Sequence, residues 1–326
     1  MKKNLSRRQF ALQLGTLSLS SVNPGLYAQT QFPTHPVTLI VPNAPGGPFD
    51  TLARLLQPQL QSLWSQTVLV EYKAGANTVL GTDFTAKATP NGQTICIVAT
   101  AHVINPALRQ LPYDTVNDLS GVTLLGNSNI LISASPNFPA NNFKEAIALI
   151  KANPGKFSYA TPGAASSMHM AMELIKQSAG LDLLHVPFKG SGPAYPEVIA
   201  GRVNFMVDSL FASVPLVKGG RLKPLASTAL RRSTLLPEVE AVSETLPGFN
   251  VNGLYGVVVA SGTPKNVIAK LHDDIVAIMK RPETQEKLGE MGLQFTPTSP
   301  EKFDALIKSD IEKWTQLVKK AQLKLE

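Results

Sequence analysis

Apolar and polar residues alternate along this chain in two rhythms. Short apolar runs read as strands at Val37–Val41, Val68–Glu71, Thr94–Ala99, Ile130–Ser133, Phe157–Ala160, Leu184–Val186 and Val203–Val207. Apolar residues spaced by three and four read as helices at Leu52–Trp64, Thr78–Ala88, Phe143–Lys151 and Ala165–Ser178, and Pro193–Ala200 takes the next helical place. Strands that alternate with amphipathic helices predict parallel sheets covered by helices. The last helix is the clearest. Phe303, Leu306, Ile307, Ile311, Trp314, Leu317 and Val318 form one stripe, with Lys302, Lys308, Glu312 and Lys313 off it. That is a helix packed on a domain surface, and the stripe is too short for a coiled coil.

The pattern starts again near residue 130, which divides the chain. Two strand-like segments, Val122–Ile132 and Val251–Ala260, are the candidate crossings. They place one domain at residues 30–127 plus 255–326 and the other at 128–254. The expected fold is α/β, with two domains, a ligand cleft between them and strand hinges.

Residues 1–28 stand apart. Lys2, Lys3, Arg7 and Arg8 precede an uncharged stretch from Ala11 to Val22, and Leu26-Tyr27-Ala28 closes it before Gln29. That order reads as a secretory signal peptide, too short in its apolar part to span a bilayer. Ser6-Arg7-Arg8-Gln9-Phe10 also resembles a twin-arginine signal, although Ala11 and Leu12 depart from it. The expectation is a soluble periplasmic protein after signal removal. The segment holds four basic residues and no acid, so its removal lowers the net charge from +7 to +3. A balance of +3 without a basic, aromatic-interleaved stripe gives no case for nucleic acid. It suits an anionic ligand. Cys96 is the only cysteine and sits in an apolar run, so no internal disulfide forms and a buried strand residue is expected.

Two strand-to-helix turns carry the candidate chemistry. In the first, Asn43-Ala44-Pro45-Gly46-Gly47-Pro48-Phe49-Asp50, the glycines allow a tight turn and close approach of a ligand. Pro48 suits the first helical position after Gly47, and Asp50 lies in the first turn. Free N–H groups here make an anion site. The second, Thr161-Pro162-Gly163-Ala164-Ala165-Ser166-Ser167-Met168-His169, combines small residues with three hydroxyls. Two helix N-termini facing across a cleft would hold two carboxylates of one ligand. His102 follows a strand end, where open α/β sheets bind ligands. Ligand contact and a structural role both stay open for it. Asp208 ends an apolar strand, placed to receive a ligand ammonium or hydroxyl or to cap the next helix. His169 and Glu173 stand four apart, but a metal site needs a third ligand, so no metal is expected.

These segments together resemble the Bug family, the TctC-like periplasmic binding proteins of tripartite tricarboxylate transporters. The carriers are Val41-Pro42 through Ala44-Pro45-Gly46-Gly47 and Asp50, Ile104-Asn105-Pro106, Leu111-Pro112-Tyr113-Asp114, Tyr159 to Gly163, Ser166-Ser167 with His169, His185 to Ser191, and Gly262-Thr263-Pro264. The resemblance implies a type II periplasmic-binding-protein fold that closes on one small carboxylate. It implies binding through backbone N–H groups, hydroxyls and bridging waters of the two turns. It also implies delivery to a two-component membrane permease, with no cofactor and no turnover. Site residues on this reading are Asn43, Ala44, Gly46, Gly47, Phe49, His102, Thr161, Gly163, Ala164, Ser166, Ser167, His169 and Asp208.

The departures concern the ligand. Pro48-Phe49 replaces small polar residues, Asn43 an aromatic, Leu254 a frequent Trp, and Ala76-Asn77-Thr78-Val79 a Gly-rich stretch. Phe49 suggests stacking on a flat ligand, such as a phthalate-type acid. A periplasmic hydrolase using Ser166 or Ser167 with His169 is the rival from another class, though no G-x-S-x-G elbow occurs. A ligand-sensing partner of a membrane receptor is a third reading, and it needs the same closure. A monomer is expected, since no exposed apolar stripe stands out.

Overall fold

The computed structural model describes residues 32–290 and 292–320, so the expected signal peptide at 1–28 lies outside the described residues. In the first part of the chain each strand is followed by a helix. The series runs β1 (Val37–Val41), α1 (Pro48–Trp64), β2 (Val68–Tyr72), α2 (Val79–Ala86), β3 (Thr94–Ala99) and α3 (Ala101–Leu108). β1 lies between β2 and β3, parallel to both, with Val37 opposite Val68 and Thr38 opposite Thr94. Val37, Leu39, Ile40 and Val41 are all inaccessible. A strand covered on both faces reads as a continuous apolar run, which is how β1 appears in the sequence.

The second lobe repeats the scheme with β5 (Ser158–Thr161), α5 (Ser167–Ala179), β6 (Leu184–Pro187), α6 (Ser191–Ile199), β7 (Phe205–Ser209) and α7 (Leu210–Lys218), after α4 (Phe143–Ala152). β5 lies between β6 and β7, again parallel to both. β8 (Lys223–Ser227) and β9 (Glu240–Ala241) extend this half.

Two long strands join the lobes. β4 (Leu119–Ala134) pairs antiparallel with β10 (Asn252–Ala260) from Leu119 to Asn129. From Ile130 onward its partners are β7 and β8 of the second lobe. β10 returns beside β4 and reaches β3 of the first lobe, with Tyr255 opposite Ala99. The resulting strand order is β2-β1-β3-β10-β4-β7-β5-β6. This is the two-lobed architecture expected from the repeated pattern.

The C-terminal part returns to the first lobe through α9 (Lys265–Met279) and α11 (Pro300–Lys320). Phe303, Ile307, Trp314 and Val318 of the predicted stripe are buried. The Phe303 ring lies directly on the backbone of β10 and β4. A Cβ at Gly256 would overlap that ring, and one at Gly121 would come within 2.8 Å of it. Glycine is required there by close approach. Cys96 is fully buried in β3, and burial pushes its thiol up to about 12, so it is a core residue.

The helices α3 and α7 were not legible. Each is short, starts within one residue of a strand and contains a proline, Pro106 or Pro215. His102, which follows the end of β3 as the sequence indicates, therefore sits in the first turn of a helix. Among the described residues no helix is long and apolar enough to cross a membrane.

Candidate functional site

Six helices start where six parallel strands end. In the first lobe α1, α2 and α3 follow β1, β2 and β3. In the second lobe α5, α6 and α7 follow β5, β6 and β7. The crevice beyond the carboxyl ends of parallel strands is where open α/β sheets hold ligands. The two crevice edges face each other, because the Asn77 side-chain amide in the first lobe donates to the Ala165 carbonyl in the second at 3.0 Å. No side-chain hydrogen bond caps α1, α2, α3 or α6. Their first N–H groups, and the positive ends of their dipoles, favour an anion.

The turn of the first lobe is open. Asn43, Ala44 and Gly46 are exposed, and Gly47 and Pro48 are half-buried. Gly47 caps α1 and Pro48 takes its first position, as the sequence predicts. Gly46 has a φ of 89°, in the region that favours glycine. Asp50 holds this turn from behind. One carboxylate oxygen accepts from the Gly46 N–H at 2.9 Å. The other accepts from Arg54 at 2.9 Å and from the Tyr72 hydroxyl at 2.5 Å. Burial raises the carboxyl's pKa, but the hydrogen bonds from Tyr72, Gly46 and Arg54 outweigh it and hold it below the usual range.

The turn of the second lobe uses its hydroxyls internally. Thr161 is inaccessible and donates to the Gly163 carbonyl at 3.0 Å, with the His185 ring 2.8 Å away on the same oxygen. Ser166 donates to the same carbonyl at 2.8 Å and accepts from the His169 N–H, capping α5. Ser167 is buried, with its hydroxyl against the Met168 sulfur. Ala164 is exposed and Gly163 half-buried. The three hydroxyls that the sequence suggested for ligand contact thus all have partners within the turn.

Behind it lies a stack of rings. His169 and His185 stack at 3.8 Å and 10°, and His185 stacks on Tyr159 at 4.8 Å. His169 Nδ1 accepts from the Ala165 N–H at 3.0 Å, so the neutral ring carries its proton on Nε2. That nitrogen faces Glu173 at 3.9 Å, and Glu173 also accepts from Lys176 and Tyr159. Burial lowers both imidazoles. The neighbouring His169 and Lys176 lower His185 further, to about 3.

Phe49, His102 and Asp208 lie deeper. Phe49 is 6% exposed, and its ring meets Tyr255 edge-on at 5.7 Å. Asp208 is buried and accepts from the Tyr195 hydroxyl at 2.8 Å and from the Ser209 N–H at 2.7 Å. Burial raises the Asp208 carboxyl despite hydrogen bonds from Ser191, Tyr195 and Ser209. Its charge adds to the burial that raises the Tyr255 phenol. Phe49 from one lobe packs on Tyr255 of the crossing strand, and Asp208 from the other lobe acts electrostatically on the same tyrosine. Tyr195 and Tyr255 escaped the sequence reading, because nothing local marks them. His102 is 1% exposed, and no protein group among the described residues hydrogen-bonds either ring nitrogen. Burial lowers it to about 4, so the ring is neutral.

Similarity to known proteins agrees with this architecture. The family model described as tripartite tricarboxylate transporter family receptor, TctC, matches residues 52–323. A UPF0065 protein from the tcbD-tcbE intergenic region of Pseudomonas sp. (strain P51) is 34% identical over 97% of this chain and 94% of its own. The solved periplasmic binding protein BugD superposes with a TM-score of 0.84 at 31% identity, over 90% of this chain and 100% of its own. The R. palustris protein Rpa4515, solved with adipate, gives 0.85 at 28% identity, over 89% of this chain and 98% of its own.

Proposed function

This chain belongs to the tripartite tricarboxylate transporter family of receptors, and from that premise we propose that its cleft captures a small carboxylate, a dicarboxylate by preference, and hands it to a membrane permease. One observation carries the proposal: helix starts without a side-chain cap lie on both facing crevice edges, three in the first lobe and α6 in the second. Each edge suits one carboxylate, and the lobes close over what lies between. That a similar protein was solved with adipate, a linear dicarboxylate, supports the ligand class. We place the protein in the periplasm, soluble once segment 1–28 is removed.

The aromatic form of the idea, a phthalate-type acid stacked on Phe49, has less support. That ring is nearly buried and already packs T-shaped against Tyr255. The proposal is therefore a dicarboxylate, with Phe49 and Tyr255 setting the shape of the cleft floor. Binding without turnover is part of it. A hydrolase would need a serine hydroxyl on the imidazole, whereas Ser166 donates to Gly163 and His169 Nδ1 takes the Ala165 N–H.

Calorimetric titration of residues 29–326 with succinate, adipate and phthalate tests the proposal. Saturable binding of at least one, with the acid recovered unchanged, is expected. Binding of none of them, or release of a hydrolysis product from an ester analogue, would overturn it. Titrating Phe49→Ser beside the parent settles the stacking idea. Unchanged relative affinities for adipate and phthalate would remove it.

A further inference from the structure

Ala76, Asn77 and Thr78 have φ values of 47°, 54° and 74°, after Gly75 at 144°. Three successive non-glycine residues in the left-handed region are uncommon, and only asparagine tolerates it readily. In the second lobe Ala165 is also left-handed, at 60°. These two irregular turns meet. The Asn77 amide nitrogen donates both its protons, one to Ala165 O at 3.0 Å and one to Asn105 Oδ1 at 3.1 Å. Asn105 is inaccessible, and its own amide donates to the Asn77 carbonyl at 2.9 Å. The acceptor on Ala165 is a backbone carbonyl, which fixes which end of the Asn77 amide points across the cleft. Ala165 is held in turn, its N–H bonded to His169.

We propose that Asn77, positioned by Asn105, is a latch that holds the two lobes closed without a ligand. The bond crosses the cleft directly from protein to protein. It adds to closure whatever the ligand is, and so sets how much closure energy a ligand must supply. The other candidates carry less. Leu80 and Phe84 are exposed on α2, but nothing on the molecule identifies what would cover them. The unpaired nitrogens of His102 have no defined direction toward the cleft.

The latch rests on the two-lobed fold alone and not on the carboxylate reading, so its test contains no ligand. Spin labels go on cysteines introduced at Ser62 on α1 and Lys151 on α4. Both sites are exposed, and the native Cys96 is buried and stays unlabelled. Double electron–electron resonance then reads the distance between the lobes. One neutral hydrogen bond shifts an equilibrium by roughly threefold to tenfold. The ligand-free parent should show a dominant short distance. Asn77→Gly keeps the left-handed turn and removes the bond, so the longer distance should gain by that factor. Asn77→Asp keeps size and turn preference but sets a carboxylate against two acceptors, so it should open the lobes further. Circular dichroism confirms that each variant is folded. The same distance distribution in the parent and a folded Asn77→Gly or Asn77→Asp variant would overturn the latch.

Discussion

The two turns that face each other across the cleft are built to one end by opposite means. The first-lobe turn is exposed and poor in side chains, and a buried carboxylate, Asp50, holds its Gly46 N–H. The second-lobe turn is rich in hydroxyls, yet Thr161 and Ser166 both bond the Gly163 carbonyl, and a neutral imidazole holds the Ala165 N–H. In both, side chains fix the turn from within, and on the proposed function the remaining backbone N–H groups take the ligand. One is held by a charged acceptor and the other by uncharged ones. A backbone cradle preorganised in this way loses little freedom on binding.

The contrast has a pH signature. An unfolded histidine takes up its proton near pH 6.5, whereas burial keeps His102 near 4 and His185 near 3, and His169 also below its ordinary value. The unfolded chain binds these protons first. Stability is therefore full above about pH 6.5 and falls as the pH drops through that window. For His102 alone the loss by about pH 4 is on the order of 3 kcal/mol. Asp50 adds a loss of the same sign at lower pH. Its folded pKa is depressed, so its contribution persists down to about pH 4 and is lost only below. Urea midpoints between pH 7 and 4 should fall steadily, and His102→Leu should flatten the fall. As the pH is lowered, the Ala165 amide signal in an NMR spectrum should shift before that of Gly46. A shift of Gly46 first would break the comparison.

Next in size is removal of the carboxylate that holds the first turn. Asp50→Ala leaves the Gly46 N–H and the Tyr72 hydroxyl without their charged acceptor. It should cost about 2–3 kcal/mol in denaturant unfolding. Smaller again is Ser166→Ala, which removes the α5 cap and one of two donors to Gly163. About 1 kcal/mol is expected. A larger cost for Ser166 than for Asp50 would invert the order of the two supports.

Much of the fold was legible because its cause is periodic. β1, β3 and α11 declare themselves through burial on both faces or on one stripe, and the restart near residue 130 exposes the second lobe. The helices α3 and α7 lack a polar face and carry Pro106 and Pro215, so no pattern marked them. In the site, Gly47-Pro48 announced a helix start because proline fits that position for a local reason. The internal bonds of the Thr161 and Ser166 hydroxyls were not legible, since sequence gives the donor but not the carbonyl it finds. Asn77 was visible only as a departure from a glycine-rich stretch. Its bond to Ala165 spans 88 positions, and nothing local encodes it.

The central claim is that the cleft is an anion clamp made of backbone. Thermal unfolding of residues 29–326 against mono-, di- and tricarboxylates, with sugars and amines as controls, tests it most directly. A ligand that binds only the folded state adds RT ln(1 + [L]/Kd), about 2.7 kcal/mol at a hundredfold excess. The account predicts a rise in Tm with a dicarboxylate and none with sugars or amines. A rise with a sugar or an amine, and none with any carboxylate, would contradict it.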